Sequence, residues 1–265
     1  MRTAHARHFA GREPDILALW DSPRQREAYD WLTVELANLR TAFRWAADQG
    51  DLDAAAAIAT YAMLLGYLVD HPGGLVLFDT GLGFADAETE AHYRPHRRSL
   101  GDALHGAGAA VDDVQIIVNC HLHFDHCGGN PAFPGRPIIV QSAELDGARQ
   151  PGYTVPETVD FPDAQYQVIA GELELLPGLW VLPTPGHTAG HQSIAVRCDD
   201  GSVVLAGQAH DTATEFAADL RAAVMARERG VSEVPPYLGW MDRMLEFDPR
   251  RILLAHDLSV VEPLR

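Results

Sequence analysis

The stretch I-I-V-N-C-H-L-H-F-D-H-C-G-G-N, Ile116 to Asn130, decides the fold. Ile116, Ile117 and Val118 form an apolar β-branched run that reads as a buried strand. The six residues from His121 to His126 then supply four metal-ligand side chains, His121, His123, Asp125 and His126. His121 and His123 are two apart, so at an extended strand end both imidazoles leave on the same side. Asp125 and His126 follow on a turn, where adjacent residues can converge on a second point. Gly128 and Gly129 let the backbone pass close beneath the site. The bland alternative is a strand end with a few solvated histidines, and the density of ligand types in one short segment argues against it.

Outward from the cluster, Leu65 to Gly81 reads as strand, tight turn and strand around Pro72-Gly73-Gly74. Ser99 to Ala109 is expected to be a helix leading into the cluster strand. After the cluster, Pro137 to Gln141 is a short strand and Ser142 to Arg149 a helix, with Ser142 placed to cap it. Strands recur at Gln165 to Ile169, Leu173 to Leu176, Leu179 to Pro183, Gln192 to Arg197 and Ser202 to Ala206, a pattern expected of a hairpin-connected meander. Phe216 to Arg229 and Tyr237 to Phe247 read as helices, and Arg251 to Ala255 as a final buried strand ending at His256-Asp257. This order predicts an α+β domain of two facing mixed sheets with helices outside, over residues 63–265.

Residues 1–62 read differently. Leu32, Leu36, Leu39 and Phe43 space the apolar face of a helix over residues 24–49, and Gly50 stands just past its end. Ala54 to Ala62 continues as a second, antiparallel helix, so an atypical helical segment precedes the sheets. W-L-T-V-E-L-A-N-L-R-T-A-F-R-W-A looks like the helical stretch behind the nucleotide-binding module of large bacterial signalling ATPases and regulators. The chain has no phosphate-binding glycine loop, so no ATPase activity is implied.

The 265 residues are enough to bury a sizeable core. A formal net charge of -17 argues against nucleic acid or an anionic membrane as partner. Tyr93 to Arg98 is a basic island that reads as a solvated face, with a substrate-facing role as the alternative. Three cysteines, Cys120, Cys127 and Cys198, make no disulfide framework, and Cys120 and Cys127 read as small buried fillers beside the cluster. The first fifteen residues lack the apolar core of a secretory signal, and the sixteen uncharged residues Ala54 to Val69 fall short of a membrane span. A cytoplasmic location is expected.

Three more stretches follow apolar strands and end in ligand types: P-T-P-G-H-T-A-G-H-Q-S (Pro183 to Ser193), A-G-Q-A-H-D (Ala206 to Asp211) and L-L-A-H-D (Leu253 to Asp257). With Asp79-Thr80-Gly81 and the opening cluster, they resemble the metallo-β-lactamase superfamily in order and spacing, from about Leu65 onward. H-L-H-F-D-H-C-G-G-N, G-H-T-A-G-H-Q-S and the closing A-H-D are most similar to the N-acyl-homoserine lactone lactonases. The resemblance implies an αββα sandwich and one or two Zn2+ ions, or other divalent transition metals. It implies that His121, His123 and His187 hold one ion and Asp125, His126 and His256 a second, with a bridging hydroxide that attacks a small lactone or ester.

Asp125 and Asp211 are the expected catalytic carboxylates, Asp79 would orient an imidazole, and His191 would either do the same or be structural. Where the lactonases carry an aspartate bridging both metals, this chain has Gln208, and where many carry a tyrosine it has Asp211. A neutral amide can ligate through oxygen but removes a negative charge, so weaker occupancy of the second position is expected. Asp211, or less directly His210, would be the substitute donor. The lactonases also begin with edge strands where this chain has helices, so either the helical pair covers that edge or the sheet is incomplete and the protein is less stable or a homodimer. Other ester or thioester hydrolysis, as in glyoxalase II-like enzymes, and a disabled metal-binding remnant are the alternatives.

Overall fold

A computed structural model describes residues 2–12, 66–83, 99–199, 201–230 and 239–263, with isolated positions between 15 and 42 and at 87 and 91. The chain divides into two compact units, residues 1–64 with 84–113, and residues 65–83 with 114–265.

In the first unit Arg2–Ala10 is a helix, and Glu27, Trp31, Glu35, Asn38, Leu39 and Ala42, the described positions of the expected 24–49 helix, are helical. Leu39 and Ala42 are buried, one turn apart, as an amphipathic helix requires. Phe9 meets Trp31 with ring centroids 6.1 Å apart. Leu100–Gly106 is a helix whose cap, Ser99, accepts the Asp102 N–H at 3.0 Å. The expected second helix of the pair and the basic island Tyr93 to Arg98 lie outside the described residues.

The second unit contains two sheets. β1 (Tyr67–His71) and β2 (Gly74–Phe78) form the expected hairpin, with His71 opposite Gly74. β3 (Val114–Val118), β4 (Pro137–Gln141) and β5 (Gln165–Ile169) add in parallel, giving the order β1-β2-β3-β4-β5. β6 (Leu173–Leu176), β7 (Leu179–Pro183), β8 (Gln192–Cys198), β9 (Gly201–Leu205), β10 (Pro249–Leu254) and β11 (Asp257–Val261) make the other sheet, ordered β11-β10-β9-β8-β7-β6. Its pairs are antiparallel except β9 and β10, whose connection includes the helix Ala213–Arg229.

Three expectations need correction. Gln165–Ile169 is not part of the meander but the parallel edge of the first sheet. Gly171 (φ +97) turns the chain from one sheet to the other, held by Gln141, which donates to its carbonyl at 2.9 Å and accepts its N–H at 3.0 Å. Ser142 does not cap its helix; it is the first helical residue, and Gln141 occupies the cap position without capping. Arg251 to Ala255 is not the final strand, because the chain reverses after Leu254 and β11 pairs back onto β10.

Both faces of the second sheet are apolar, with the period of two that a strand imposes. Leu179, Val181, Ile194 and Leu205 face inward and pack with Val76, Phe78, Val118 and Ile139 of the first sheet. Leu182, Ala195, Val204, Ile252 and Leu254 face outward against Phe216 and Leu220 of the long helix and Met241 and Met244 of the helix Trp240–Leu245. The helix Ser142–Ala148 lies against β4 and β5. The result is the expected sandwich of two mixed sheets with helices outside, a core arrangement that leaves the strand ends free to carry loops.

Candidate metal centre

β3 ends at Val118, earlier than the sequence pattern indicated, because the Cys120 N–H leaves the ladder and donates to Asp79 Oδ1 at 2.7 Å. Asp79 follows β2 directly, is buried, and holds a left-handed φ of +62, a strained conformation for a residue with a side chain. Its other oxygen, Oδ2, faces His126 Nδ1 at 3.0 Å. One carboxylate thus sets both the entry of the loop and one of its histidines. Phe124–Cys127 forms a single helical turn that carries Asp125 and His126. Gly128 lies against Gly83 so closely that an added Cβ would fall 1.8 Å from its nitrogen, the close backbone approach expected of that glycine.

The cluster closes into two groups of donors. His123 Nδ1 lies 3.0 Å from His121 Nε2 and 3.2 Å from His187 Nε2. His126 Nε2 and His256 Nε2 are 2.9 Å apart, with Asp125 Oδ2 3.6 Å from the first and 3.4 Å from the second. Ligands of a tetrahedral zinc ion, at about 2.0–2.1 Å from the metal, stand roughly 3.4 Å from one another. Both groups therefore have the size of a metal's coordination triangle. His121, His123 and His187 could hold one ion, and His121, Asp125 and His126 also converge closely enough to do so.

The electrostatics fit a cation. Burial, reinforced by the neighbouring imidazoles, holds His121 well below its usual range. Burial likewise lowers His123 and His187 and pushes His256 down to about 4, so these rings present lone pairs at neutral pH. His126 is the exception: burial pulls it down, but Asp79 and Asp125 raise it overall, marking a place where positive charge is favoured. With Nδ1–H given to Asp79, its Nε2 is directed to the cluster.

The remaining residues divide between those at the cluster and those turned away. Gln208 sits beside the His256 loop, where the preceding Gly207 carbonyl accepts the Ala255 N–H at 2.8 Å, and Asp211 Oδ1 accepts the Gln208 Nε2–H at 3.0 Å. His210 turns to Asp219 Oδ2 on the long helix at 2.9 Å. His191 is fully engaged in structure: Nδ1 donates to the Thr184 carbonyl at 3.1 Å and Nε2 accepts the Gln208 backbone N–H at 3.1 Å. Gly207 (φ +57) precedes it in a space where a Cβ would fall 2.4 Å from Cys120 Cβ. Cys120 and Cys127 are buried, and burial raises the thiol of the first well above its usual range and that of the second to about 12.

Sequence reading missed Glu144. Its buried carboxylate accepts the Leu122 N–H at 2.7 Å, the Thr188 hydroxyl at 2.6 Å and the Tyr153 hydroxyl. It thereby ties the loops of His123 and His187 together, and Tyr153 lays its ring against His123 at 4.8 Å. The only signal was an acidic residue in the first turn of a helix, which is ordinary at a helix N-terminus. Gln192 was likewise silent: buried, it donates to the carbonyls of Asn119 and Ile139 and so bolts β8 to the first sheet.

The metallo-beta-lactamase superfamily profile matches residues 65–256. An N-acyl homoserine lactonase of Bacillus thuringiensis is 32% identical over 206 residues, covering 73% of this chain and 80% of that protein. The AttM lactonase of Agrobacterium fabrum is 28% identical over 161 residues, covering 52% of this chain and 61% of its own length. Among solved structures, an N-acyl homoserine lactone hydrolase with N-hexanoyl-L-homoserine at its catalytic metal centre superposes with a TM-score of 0.58 at 30% identity, covering 72% of this chain and 80% of that one. With the two-sheet sandwich and the histidine cluster between its loops, these likenesses place the chain in one family: it belongs to the metallo-beta-lactamase superfamily.

Proposed function

We propose that the chain is a metal-dependent hydrolase that opens the ring of N-acyl homoserine lactones or similar small lactones. The observation that carries this reading is the pair of donor triangles, His121-His123-His187 and Asp125-His126-His256, brought side by side where the His121 and His126 rings lie 4.1 Å apart. Those six residues would hold two Zn2+ ions or similar divalent cations, with Gln208 beside the second. Such ions polarise a carbonyl and bring the pKa of coordinated water toward neutrality.

The chain's own part is positioning and proton transfer. Asp125, with a side chain 28% exposed, is the carboxylate of the donor triangles open to solvent. It accepts the proton of the attacking water as the new C–O bond forms at the lactone carbonyl. It returns that proton to the ring oxygen as the old C–O bond breaks, giving the open hydroxy acid. Asp79 keeps His126 in the correct tautomer throughout. The expected cytoplasmic location and possible homodimer belong with this proposal; no helix among the described residues is long and apolar enough to cross a membrane.

The test is acid release from N-hexanoyl homoserine lactone and from a thioester by the full chain, purified with zinc, cobalt, manganese or iron. Lactone opening that is lost on chelation supports the reading. Faster turnover of the thioester would move the assignment to a glyoxalase II-like hydrolase, and no turnover with any of the metals would sink it.

A further inference from the structure

Gln208 carries a neutral amide on the loop beside His256, and one hydrogen bond selects the orientation of that amide. Its backbone is clamped: its N–H is taken by His191 at 3.1 Å, and the preceding Gly207 carbonyl accepts the Ala255 N–H at 2.8 Å, one residue before His256. The side-chain Nε2 donates to Asp211 Oδ1 at 3.0 Å. Because the amide is planar and its nitrogen is committed to a carboxylate, Oε1 must point away from Asp211.

We infer that Asp211 is a positioning residue for Gln208: the two form a split unit that presents the amide oxygen to the His126, His256 and Asp125 group as a fourth donor, with the negative charge set one side chain further back. This deepens the metal-dependent reading above and rests on it. A carboxylate hydrogen-bonded to an amide N–H polarises the carbonyl at the other end, which makes the oxygen a better donor to a cation. Oδ1 of Asp211 is occupied by this bond, so direct ligation through it would cost the amide its orientation.

A cycle of variants in the full chain separates this arrangement from simpler ones. Zn2+ or Co2+ affinity at both positions is measured in the absence of substrate, by chelator competition and the Co2+ absorption spectrum. Asp211→Ala is expected to weaken the second ion's binding about tenfold, as loss of an orienting partner does, with the first ion unaffected. In a Gln208→Asp background the carboxylate ligates directly and nothing remains to be oriented, so Asp211→Ala should cause no loss there. An equal loss in both backgrounds would make Asp211 an independent charge or ligand and overturn the inference. So would no loss in the parent chain, or no second ion in either the parent or Gln208→Asp. Intact coupling in a protein that opens no lactone would defeat the functional reading alone.

Discussion

The first sheet delivers His121, His123, Asp125 and His126 from a single loop after β3, whereas the second sheet delivers His187, Gln208 and His256 from three loops after β7, β9 and β10. In the first case the donors are contiguous in the chain: a strand end and one helical turn place them, seated on the close approach of Gly128 to Gly83. In the second, each loop is placed by contacts with distant segments, and only the Gln208 side chain is also held from nearby, by Asp211. The ties are Glu144 to Thr188 for His187, His191 to the backbone N–H of Gln208, and the Gly207 carbonyl to the Ala255 N–H for His256. Contiguous ligands make a site recurrent in sequence, while dispersed ligands make it dependent on the packing of the whole sandwich.

That contrast can be broken most sharply at Asp79, whose carboxylate holds both the Cys120 N–H and His126 in the local half. Asp79→Ala strands a fully buried His126 and the Cys120 N–H, and is expected to cost about 3–5 kcal/mol in urea unfolding. A loss below 1 kcal/mol would mean the cluster loop holds itself. Next in size is Glu144→Ala, which leaves three donors without their buried acceptor; about 2–4 kcal/mol of stability should go, with weaker metal binding at the His121-His123-His187 group. If metal binding at the His126 group fell equally, the two halves would not be separable as described.

Acid should act in the same direction as these losses. The buried imidazole of His191, pushed down to about 3 by burial and then by His126, stays neutral in the fold but is protonated in the unfolded chain below about pH 6.5. The unfolded state then binds more protons, so stability falls with pH, by about 2 kcal/mol from His191 between pH 7 and 5. His121, His123, His187 and His256 are lowered too and add to it, while His126, raised by Asp79, opposes. Unfolding midpoints of the metal-free chain at pH 7, 6 and 5 check this; a flat profile would mean the rings are not held neutral. The smallest effect belongs to Arg243, half-exposed, paired with Glu172 at 2.9 Å and lying over the Phe247 ring at 4.7 Å. Arg243→Ala should change stability by about 0.5 kcal/mol and metal content not at all.

The same division explains what could be read from sequence. H-L-H-F-D-H and the Pro72-Gly73 hairpin are legible because their ligand and turn residues stand within a few positions of one another. The three outlying loops were placed through resemblance to a family rather than through any local rule. Glu144 was not legible, since its partners lie at Leu122, Tyr153 and Thr188 and only the fold brings them together. Nor was the sheet membership of β5, which follows from β4 being parallel and from Gln141 gripping Gly171. β11 escaped because a strand expected to end at a ligand histidine gave no reason to continue. Asp257, read only as the end of the A-H-D motif, accepts the Ala213 N–H at 2.8 Å and so anchors the start of the long helix beside His256.

The claim on which the rest depends is that the two donor triangles hold two ions that work together on a lactone. Metal-free full-length protein titrated with zinc from zero to two equivalents, with opening of N-hexanoyl homoserine lactone followed at each addition, tests it directly. The account predicts little activity at the first equivalent and a rise across the second, later and shallower than in Gln208→Asp. A folded protein that binds zinc and shows no opening at any ratio, or full activity at one equivalent, would contradict it.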